Sequence, residues 1–509
     1  MPRLATSRRQ AAGCAPLPSA HTGSRYARHA PERTLLYALV EAHYPDFIAR
    51  IEAEGRSLPG YVREAFDAYL RCGVLEHGFL RVVCEHCRAE RLVAFSCKKR
   101  GFCPSCGARR MAESARHLVE EVFGPRPVRQ WVLSFPYPLR FLFASKPEAI
   151  GPVLGIVQRV IAGWLADQAG IDRASAQCGA VTLIQRFGSA LNLNIHFHML
   201  WLDGVYVEAT ELPRRELRLH RARAPTTAQL TQLAATIAHR VCRHLTRKGW
   251  LEGEGESAFL ADSAAGDDSM DGLRMSSITY RIATGRDAGR KAVTLQTLPG
   301  DAGSLEGDAG KVGGFSLHAG VAAEAHESHK LEKLCRYITR PAISEQRLSI
   351  SPQGRVRYQL KTPWRNGTTH VEWDAVDFIA KLAALVPPPR AHLTRFHGVF
   401  APNANLRAQL TPSGRGKRPA GDAAPVDVSA HDEPRSPEQK RRAMSWAQRL
   451  KRVFSIDVTT CAHCGGAVRI VASIEEPKTI RAILAHFEKQ GAREEAHYRP
   501  AARAPPPAA

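Results

Sequence analysis

Two histidines separated by one residue are the part of this sequence best suited to chemistry. They are His196 and His198, on either side of Phe197 in the run Leu191–Asp203. Alternate residues of a strand share a face, so both imidazoles would point the same way and could bind one divalent cation. The other face is apolar: Leu191, Leu193, Ile195, Phe197, Met199 and Trp201. The alternative is a pair of ordinary strand histidines.

A tyrosine in a predicted helix is the second candidate. The helix covers about residues 328–340 and stops at Pro341, which cannot continue it. Tyr337 lies on the flank, with Arg336 and Arg340 nearby. The predicted buried stripe is Leu331, Leu334 and Ile338. Tyr337 is either a rim residue packed against the core or a nucleophile, with the arginines holding flanking phosphates.

Cysteines in Cys-x-x-Cys pairs predict a structural zinc site. Cys84-x-x-Cys87 and Cys103-x-x-Cys106 are separated by 15 residues, a spacing typical of zinc ribbons and zinc fingers. We therefore expect these four thiolates to surround one Zn²⁺, with Cys97 or His86 as alternative ligands. Without a signal-peptide core, this pattern favours a reducing cytoplasm over disulfides.

A third pair lies near the C-terminus. Cys461 and Cys464 are followed by two glycines, and no further cysteine pair comes after them. They predict a second zinc site if a histidine completes it. The candidate histidines are His463, His486 and His497. The alternative is a reduced pair in a tight turn.

The composition favours a polyanionic partner. The 509 residues carry a formal net charge of +22, with a pI of about 9.8, which favours nucleic acid over a membrane surface. No apolar run reaches the length of a membrane span, so we expect no membrane partner. A basic patch consists of Arg390, His392, Arg395 and His397 with Phe396 inside it, where arginine and aromatic side chains could stack on unpaired bases. The alternative is an ordinary basic loop.

The pattern of periodic and Pro/Gly-rich segments predicts several domains. We expect a disordered basic tail (1–31), a helical and zinc-binding domain (32–120) and a catalytic domain (121–405) with loop insertions at about 252–272 and 299–314. A linker (406–441), a C-terminal Cys-x-x-Cys module (442–490) and a disordered tail (491–509) would follow. Thr226 and Asp374 are predicted helix N-caps, and Pro352-Gln-Gly354 predicts a hairpin.

Taken together, these motifs resemble the HUH-type rolling-circle transposases of the insertion-sequence-91 group. The resembling segments extend over most of the chain: Cys84–Cys87, Ser96–Cys106, Leu191–His198, Tyr337–Pro341, Trp364–His370, Pro387–Gly398 and Cys461–Gly466. The resemblance implies an α+β fold with an HUH-endonuclease-like antiparallel sheet and flanking helices. It also implies an N-terminal helical and zinc-binding domain and a small C-terminal zinc-knuckle module.

The resemblance also implies an activity and its residues. The expected enzyme is a single-strand DNA endonuclease and strand transferase that cleaves element ends through a 5′-phosphotyrosine intermediate. Tyr337 would be the nucleophile, and His196 and His198 would bind Mg²⁺ or Mn²⁺, with structural Zn²⁺ elsewhere. Candidates for the third ligand are Gln185, His318 and Glu332. The DNA-binding candidates are Arg336, Arg340, Arg390 and Arg395.

This sequence differs from some relatives at the tyrosine helix. Those relatives have a second catalytic tyrosine there, whereas this helix contains only Tyr337. Strand transfer would then reuse Tyr337, recruit a second protomer or use a hydroxyl, so a homo-oligomer is one alternative. The expected location is the bacterial cytoplasm, in association with the nucleoid. Two other functions remain open: a relaxase or replication-initiator nuclease, and a non-catalytic zinc-containing DNA-binding protein.

Overall fold

The protein has a mixed α+β fold with antiparallel sheets, as the sequence predicts. The computed structural model describes residues 30–209, 216–253, 259–261, 268–296, 309–414, 461 and 464–489. The strands are β1 (Phe79–Cys84), β2 (Glu90–Ala94), β3 (Val128–Ser134), β4 (Gly179–Phe187), β5 (Leu193–Leu202), β6 (Gly204–Ala209), β7 (Glu216–Arg221), β8 (Leu251–Glu252), β9 (Phe259–Leu260), β10 (Val293–Gln296), β11 (Ala309–Val312), β12 (Phe315–Ala323), β13 (Leu348–Ile350), β14 (Val356–Gln359), β15 (Thr368–Trp373), β16 (Thr394–Gly398) and β17 (Val468–Ile474).

The helices lie between these strands along the chain. They are α1 (Leu35–Ala53), α2 (Gly60–Leu70), α3 (Pro104–Arg116), α4 (Tyr137–Ser145), α5 (Ile150–Ala169), α6 (Thr227–Arg247), α7 (Asp271–Ile278), α8 (Ser328–Ile338), α9 (Ala375–Leu385), α10 (Arg407–Leu410) and α11 (Pro477–Lys489). Helix α3 continues into a π-helical turn, His117–Phe123. Thr226 caps α6 in a capping box, and the Asp374 side chain accepts from the backbone of α9, so both cap predictions are confirmed.

A six-stranded antiparallel sheet carries the predicted histidines. Its strand order is β11-β12-β3-β5-β4-β16, which puts β5 near the centre. The apolar face predicted for β5 packs into the largest core, which also contains residues of α4, α5 and α6. The opposite face packs against α8 and the end of α3. Each face of β5 is therefore covered by helices, and the histidine face lies towards the tyrosine helix.

A second sheet, β10-β15-β14-β13, shares a core with the N-terminal helices. That core combines α1 and α2 with β14, β15 and α9, and it includes Cys103 and Cys106. Pro352-Gln-Gly354 lies in the predicted turn between β13 and β14, with Gly354 at a φ of 73°. Helices α1 and α2 and the Phe102–Cys106 segment therefore share one core with residues between 343 and 386.

The C-terminal part of the chain joins an N-terminal sheet. Strand β17 pairs with β1 in a three-stranded sheet of order β17-β1-β2. The described parts of the predicted loop insertions also form elements: β8 and β9 pair, and β11 is the edge strand of the main sheet. Both predicted terminal tails, and the predicted linker from residue 415 onward, lie outside the described residues.

One helical segment of the described chain, Pro147–Ala169, is long and apolar enough to span a membrane by length and composition. The sequence was expected to contain no apolar run of this length. About 56% of the residues in its most apolar stretch are buried inside the protein. Helix α5 covers the main sheet there and contributes Val153, Val157 and Ile161 to the core. Packing against the sheet accounts for its apolar character.

Candidate active site and metal centres

The two histidines of β5 converge at one point. Their Nε2 atoms are 3.1 Å apart, and the side chains are only 7% and 5% exposed. Two nitrogen ligands at about 2.1 Å from one metal ion, at a right angle, would be about 3.0 Å apart. The spacing of His196 and His198 therefore fits two adjacent positions of one coordination shell.

Neighbouring groups bond the outer nitrogen of each imidazole. Nδ1 of His196 lies 2.9 Å from the backbone carbonyl oxygen of Asn194. Because this oxygen can only accept, Nδ1 carries the proton and Nε2 presents a lone pair. The side-chain amide of Gln130, on β3, lies 2.8 Å from Nδ1 of His198.

The Gln130 amide can set the tautomer of His198. With its nitrogen donating to Nδ1, Nε2 of His198 carries the proton and donates to His196, which fits the 3.1 Å contact. Turning the amide by 180° lets its oxygen accept from Nδ1–H instead. Both Nε2 atoms are then free to bind metal, and neither imidazole ring has to move.

Burial keeps both histidines neutral. Burial, together with the nearby Arg340 and Arg140 guanidinium groups, lowers the pKa of His196 to about 4. Burial also lowers the pKa of His198, as does the adjacent His196. Neutral imidazole is the form that binds metal, so at neutral pH the pair needs no deprotonation.

Gln185 is the best placed of the three candidate third ligands. It lies opposite His196 on β4, is 5% exposed, and donates from Nε2 to the Ile338 carbonyl oxygen at 2.8 Å. This bond fixes the amide orientation, and Oε1 is left buried with no hydrogen-bond partner. A buried acceptor beside two imidazole nitrogens suits a hard divalent cation.

The other two candidates are less well placed. Within the described part of the chain, the histidine pair forms no group of three with an Asp, Glu, His or Cys side chain. His318 lies on β12, which β3 separates from β5. Glu332 lies on α8 and is likewise in no such group.

The tyrosine helix presents its phenol to the histidine face. Leu331, Cys335 and Ile338 of α8 are buried, and the predicted Leu334 is half-buried. Tyr337 stays 41% exposed, and its ring centroid is 6.5 Å from that of His198, at nearly a right angle. The helix therefore places the phenol next to the histidine pair and open to solvent.

Two cations flank the ring of Tyr337. The guanidinium carbon of Arg340 lies 4.3 Å from the ring centroid, and the Lys361 Nζ is also 4.3 Å away. Arg340 additionally contacts the ring of Phe187 at 5.3 Å and donates to the Tyr337 carbonyl oxygen. These charges can hold a phosphate against the phenol.

The other predicted DNA-binding arginines lie at different distances from this site. Arg336 is half-buried on α8, whereas Arg390 and Arg395 are exposed. Arg395 pairs with Thr182 and thus points to the Met199 face of the sheet, away from the histidines. The structure therefore does not bring Arg395 to the histidine site.

The structure does not bring together the four cysteines predicted as one zinc site. Instead Cys103 and Cys106, at the start of α3, meet Cys72 and Cys97, all with Sγ atoms within 4.8 Å of one another. The Cys97–Cys106 and Cys72–Cys103 Sγ distances are 3.4 and 3.8 Å. Thiolates around tetrahedral zinc are about 3.8 Å apart, whereas a disulfide needs about 2.05 Å. The predicted pairs Cys84/Cys87 and Cys103/Cys106 therefore belong to two different groups. Cys84 and Cys87 lie at the turn between β1 and β2, whereas Cys103 and Cys106 lie at the start of α3.

The second group joins distant parts of the chain. Cys84 and Cys87 meet Cys461 and Cys464, again within 4.8 Å of one another. The backbone amide of Cys87 donates to Sγ of Cys84 and lowers the pKa of that thiol to about 6. No histidine belongs to either group in the described part of the chain, and His463 and His497 lie outside it.

Several residues of these sites were missed by the sequence analysis. Gln130, Arg140 and Lys361 reach the active site from elements distant in sequence, and no motif marks them. Cys72 also has no near cysteine partner in the sequence. One usable signal was Cys461-x-x-Cys464, a second half-site of the same form as Cys84-x-x-Cys87.

Comparison with known families gives two matches. A model described as "Putative transposase" (Y2_Tnp) matches residues 179–407, and one described as "Transposase zinc-binding domain" (Zn_Tnp_IS91) matches residues 39–135. The first range contains the histidine pair and Tyr337, and the second contains Cys72 and both inner cysteine pairs. No curated protein and no solved structure matches the chain.

Proposed function

Because the chain belongs to the insertion-sequence-91-type transposases, we propose that it nicks and rejoins single-stranded DNA at element ends through Tyr337. The observation that carries this proposal is the meeting of Tyr337 with two buried, neutral histidines whose Nε2 atoms converge. Exposure of the phenol leaves room for a DNA strand beside it.

The proposed cleavage exchanges one phosphodiester bond for another. The Tyr337 oxygen attacks the scissile phosphorus, and the 3′-oxygen of the preceding nucleotide leaves. The phenol proton is released, and the leaving oxygen takes up a proton. The 5′-phosphate is then esterified to Tyr337, which conserves the bond energy for rejoining.

The protein's own groups divide the remaining tasks. His196, His198 and Gln185 would hold Mg²⁺ or Mn²⁺, which when bound polarises the scissile phosphate. Arg340 and Lys361, both next to the ring of Tyr337, would balance negative charge on that phosphate. Gln130 holds the His198 ring in place.

A single tyrosine constrains the rejoining step. A free 3′-hydroxyl must attack the phosphotyrosine, which reverses the cleavage and regenerates the phenol of Tyr337. Simultaneous cleavage at two ends would need a second protomer. We therefore expect one covalent DNA end per chain. We also expect the protein to act on DNA in the cytoplasm.

The test is formation of a covalent protein–DNA adduct. Purified full-length protein, Mn²⁺ and labelled single-stranded oligonucleotides from the edges of the element would be separated on denaturing gels. We expect an adduct with the 3′-end label, because the fragment linked to Tyr337 through its 5′-phosphate keeps the 3′ end of the oligonucleotide, and this adduct should be lost in Tyr337→Phe and His196→Ala. Tyr137→Phe is the matched control, because Tyr137 is also exposed, at 49%.

Two results would contradict the proposal. An adduct that persists in Tyr337→Phe would mean another nucleophile. Tight DNA binding without any adduct would favour the zinc-containing DNA-binding protein. A relaxase or replication initiator would also form the adduct, but on an origin sequence and not on the element's ends.

A further inference from the structure

We propose that Cys84, Cys87, Cys461 and Cys464 form one zinc site, built from two half-sites at opposite ends of the chain. The Sγ atoms of Cys84 and Cys464 are 3.5 Å apart, as are those of Cys87 and Cys461. All four lie within 4.8 Å of one another. These distances suit a closed tetrahedral S₄ site, which is structural. This inference does not depend on the role of Tyr337.

The two half-sites have similar backbones. In each, the residue after the second cysteine has a left-handed conformation: Arg88 at a φ of 61° and Gly465 at 73°. In each, a backbone amide donates to sulfur at 3.4 Å, from Cys87 to Cys84 and from Gly466 to Cys464. Amides aimed at sulfur stabilise thiolates, so both turns are arranged as metal-binding knuckles.

Gly466 packs directly against two of the four sulfurs. A Cβ atom there would lie 3.3 Å from Sγ of both Cys84 and Cys464, and 2.9 Å from Cβ of His86. The backbone can approach so closely only because this residue has no side chain. The second glycine of the Cys461–Gly466 segment therefore has a place in the site.

Strand pairing supports the same arrangement independently of the sulfur positions. Strand β17 runs antiparallel to β1, with Cys84 opposite Val468. The pairing continues beyond the strand, where the amide of Glu85 donates to the Ala467 carbonyl oxygen at 2.9 Å. The sheet therefore sets both knuckles side by side.

The site would tie the C-terminal segment to the zinc-binding domain. Cys87 and Cys461 are 374 positions apart, and each knuckle supplies only two of four thiolates. Neither half-site can close a tetrahedron alone, so metal binding requires both. The Cys72, Cys97, Cys103 and Cys106 group is complete without the C-terminus.

Zinc content of full-length variants tests the proposal. We expect two Zn²⁺ per wild-type chain and one in Cys461→Ser/Cys464→Ser. The variant Cys84→Ser/Cys87→Ser should also hold one, and so should the quadruple variant. Cys242→Ser is the control, since Cys242 is half-buried in α6 outside both groups. Two Zn²⁺ in Cys461→Ser/Cys464→Ser or in Cys84→Ser/Cys87→Ser would overturn the proposal.

Differential alkylation separates loss of the site from general unfolding. Native protein is treated with N-ethylmaleimide, and the modified cysteines are mapped by mass spectrometry. In Cys461→Ser/Cys464→Ser we expect Cys87 and Cys84 to become reactive, while the Cys72 group stays protected. Continued protection of Cys84 and Cys87 would contradict the shared site. Reactivity of all the remaining zinc-group cysteines would show unfolding.

In that case, wild-type protein would be treated with a zinc chelator and N-ethylmaleimide over time. If Cys84, Cys87, Cys461 and Cys464 become reactive together, the shared site is supported. If the two pairs become reactive at different rates, it is refuted.

Discussion

At the level of single residues, neighbouring polar groups make the histidine pair suitable for metal. Asn194 and Gln130 bond the outer nitrogens of His196 and His198, so the inner nitrogens can face each other. The side-chain oxygen of Gln185 is buried nearby without a partner. The His-x-His spacing predicted the pair, but only the structure distinguishes Gln185 from the other ligand candidates.

The first prediction concerns Gln185→Ala. Loss of its Oε1 should raise the Mn²⁺ concentration needed for half-maximal adduct formation at least about tenfold. His318→Ala is the control, since His318 lies two strands from β5, and it should leave this concentration unchanged. Mn²⁺ titration of the adduct yield measures both. If excess Mn²⁺ does not restore Gln185→Ala, Gln185 serves only to hold α8 through Ile338.

At the level of secondary-structure elements, α3 connects a cysteine group to the tyrosine helix. Cys103 and Cys106 lie at the start of α3, and Gly107 follows them. A Cβ at Gly107 would lie 3.0 Å from Cβ of Pro341. Thr339 also donates to the Met111 carbonyl oxygen. The position of Tyr337 therefore depends on how α3 and α8 pack.

The second prediction follows from this contact. Gly107→Ala should push the end of α8 away from α3 and lower the rate of adduct formation severalfold, with zinc content unchanged. The control is Gly151→Ala, because Gly151 has nothing within 4 Å of an added Cβ. Single-turnover rates and zinc analysis measure the two effects. A wild-type rate in Gly107→Ala would mean that Tyr337 is placed independently of α3.

The third prediction concerns the pH dependence of folding stability that His397, on β16, should cause. Burial lowers the pKa of His397 to about 4, with Arg395 adding to the shift, whereas an unfolded histidine has a pKa near 6.5. As pH falls from 6.5 to 4, the unfolded chain takes up a proton that the folded chain does not, so stability falls. His397→Gln should flatten this decline in melting temperature. Exposed His77→Gln should not, and equal slopes for all three proteins would refute the assignment.

Local periodicity predicted much of this architecture, and long-range contacts account for what it missed. The faces of β5, the end of α8 near Pro341 and the caps Thr226 and Asp374 all depend on residues close in sequence. The cysteine grouping does not, since Cys72 is 34 positions from Cys106. Spacing indicated zinc, but sheet pairing between β1 and β17 decided which thiols meet.

At the level of the whole molecule, the excess of positive charge favours DNA binding whether or not cleavage occurs. The formal charge is +22, and the exposed Arg390 and Arg395 contribute to it. Counterion release makes such binding weaken with salt, with a log–log slope of about −0.7 for each phosphate neutralised on a single strand. Substitutions at the nucleophile should therefore abolish cleavage without changing DNA affinity, and substitutions at exposed arginines should weaken DNA affinity.

The fourth prediction uses this separation. Tyr337→Phe should bind a single-stranded oligonucleotide with wild-type affinity and salt slope. Arg390→Ala/Arg395→Ala should reduce the magnitude of the slope by about 0.7 to 1.4. Arg173→Ala is the control, because Arg173 is paired with Asp167 in a salt bridge. Fluorescence anisotropy over a NaCl series measures these slopes, and an unchanged slope in the double variant would exclude phosphate contacts at both positions.

Mapping the covalent link would identify the nucleophile directly. The adduct would be trimmed with nuclease and digested with trypsin, and the peptide that carries nucleotide mass would be sequenced by mass spectrometry. We predict the nucleotide on Tyr337, in the peptide that begins after Arg336 and ends at Arg347. A nucleotide on any other residue would contradict the assignment of Tyr337 as the nucleophile.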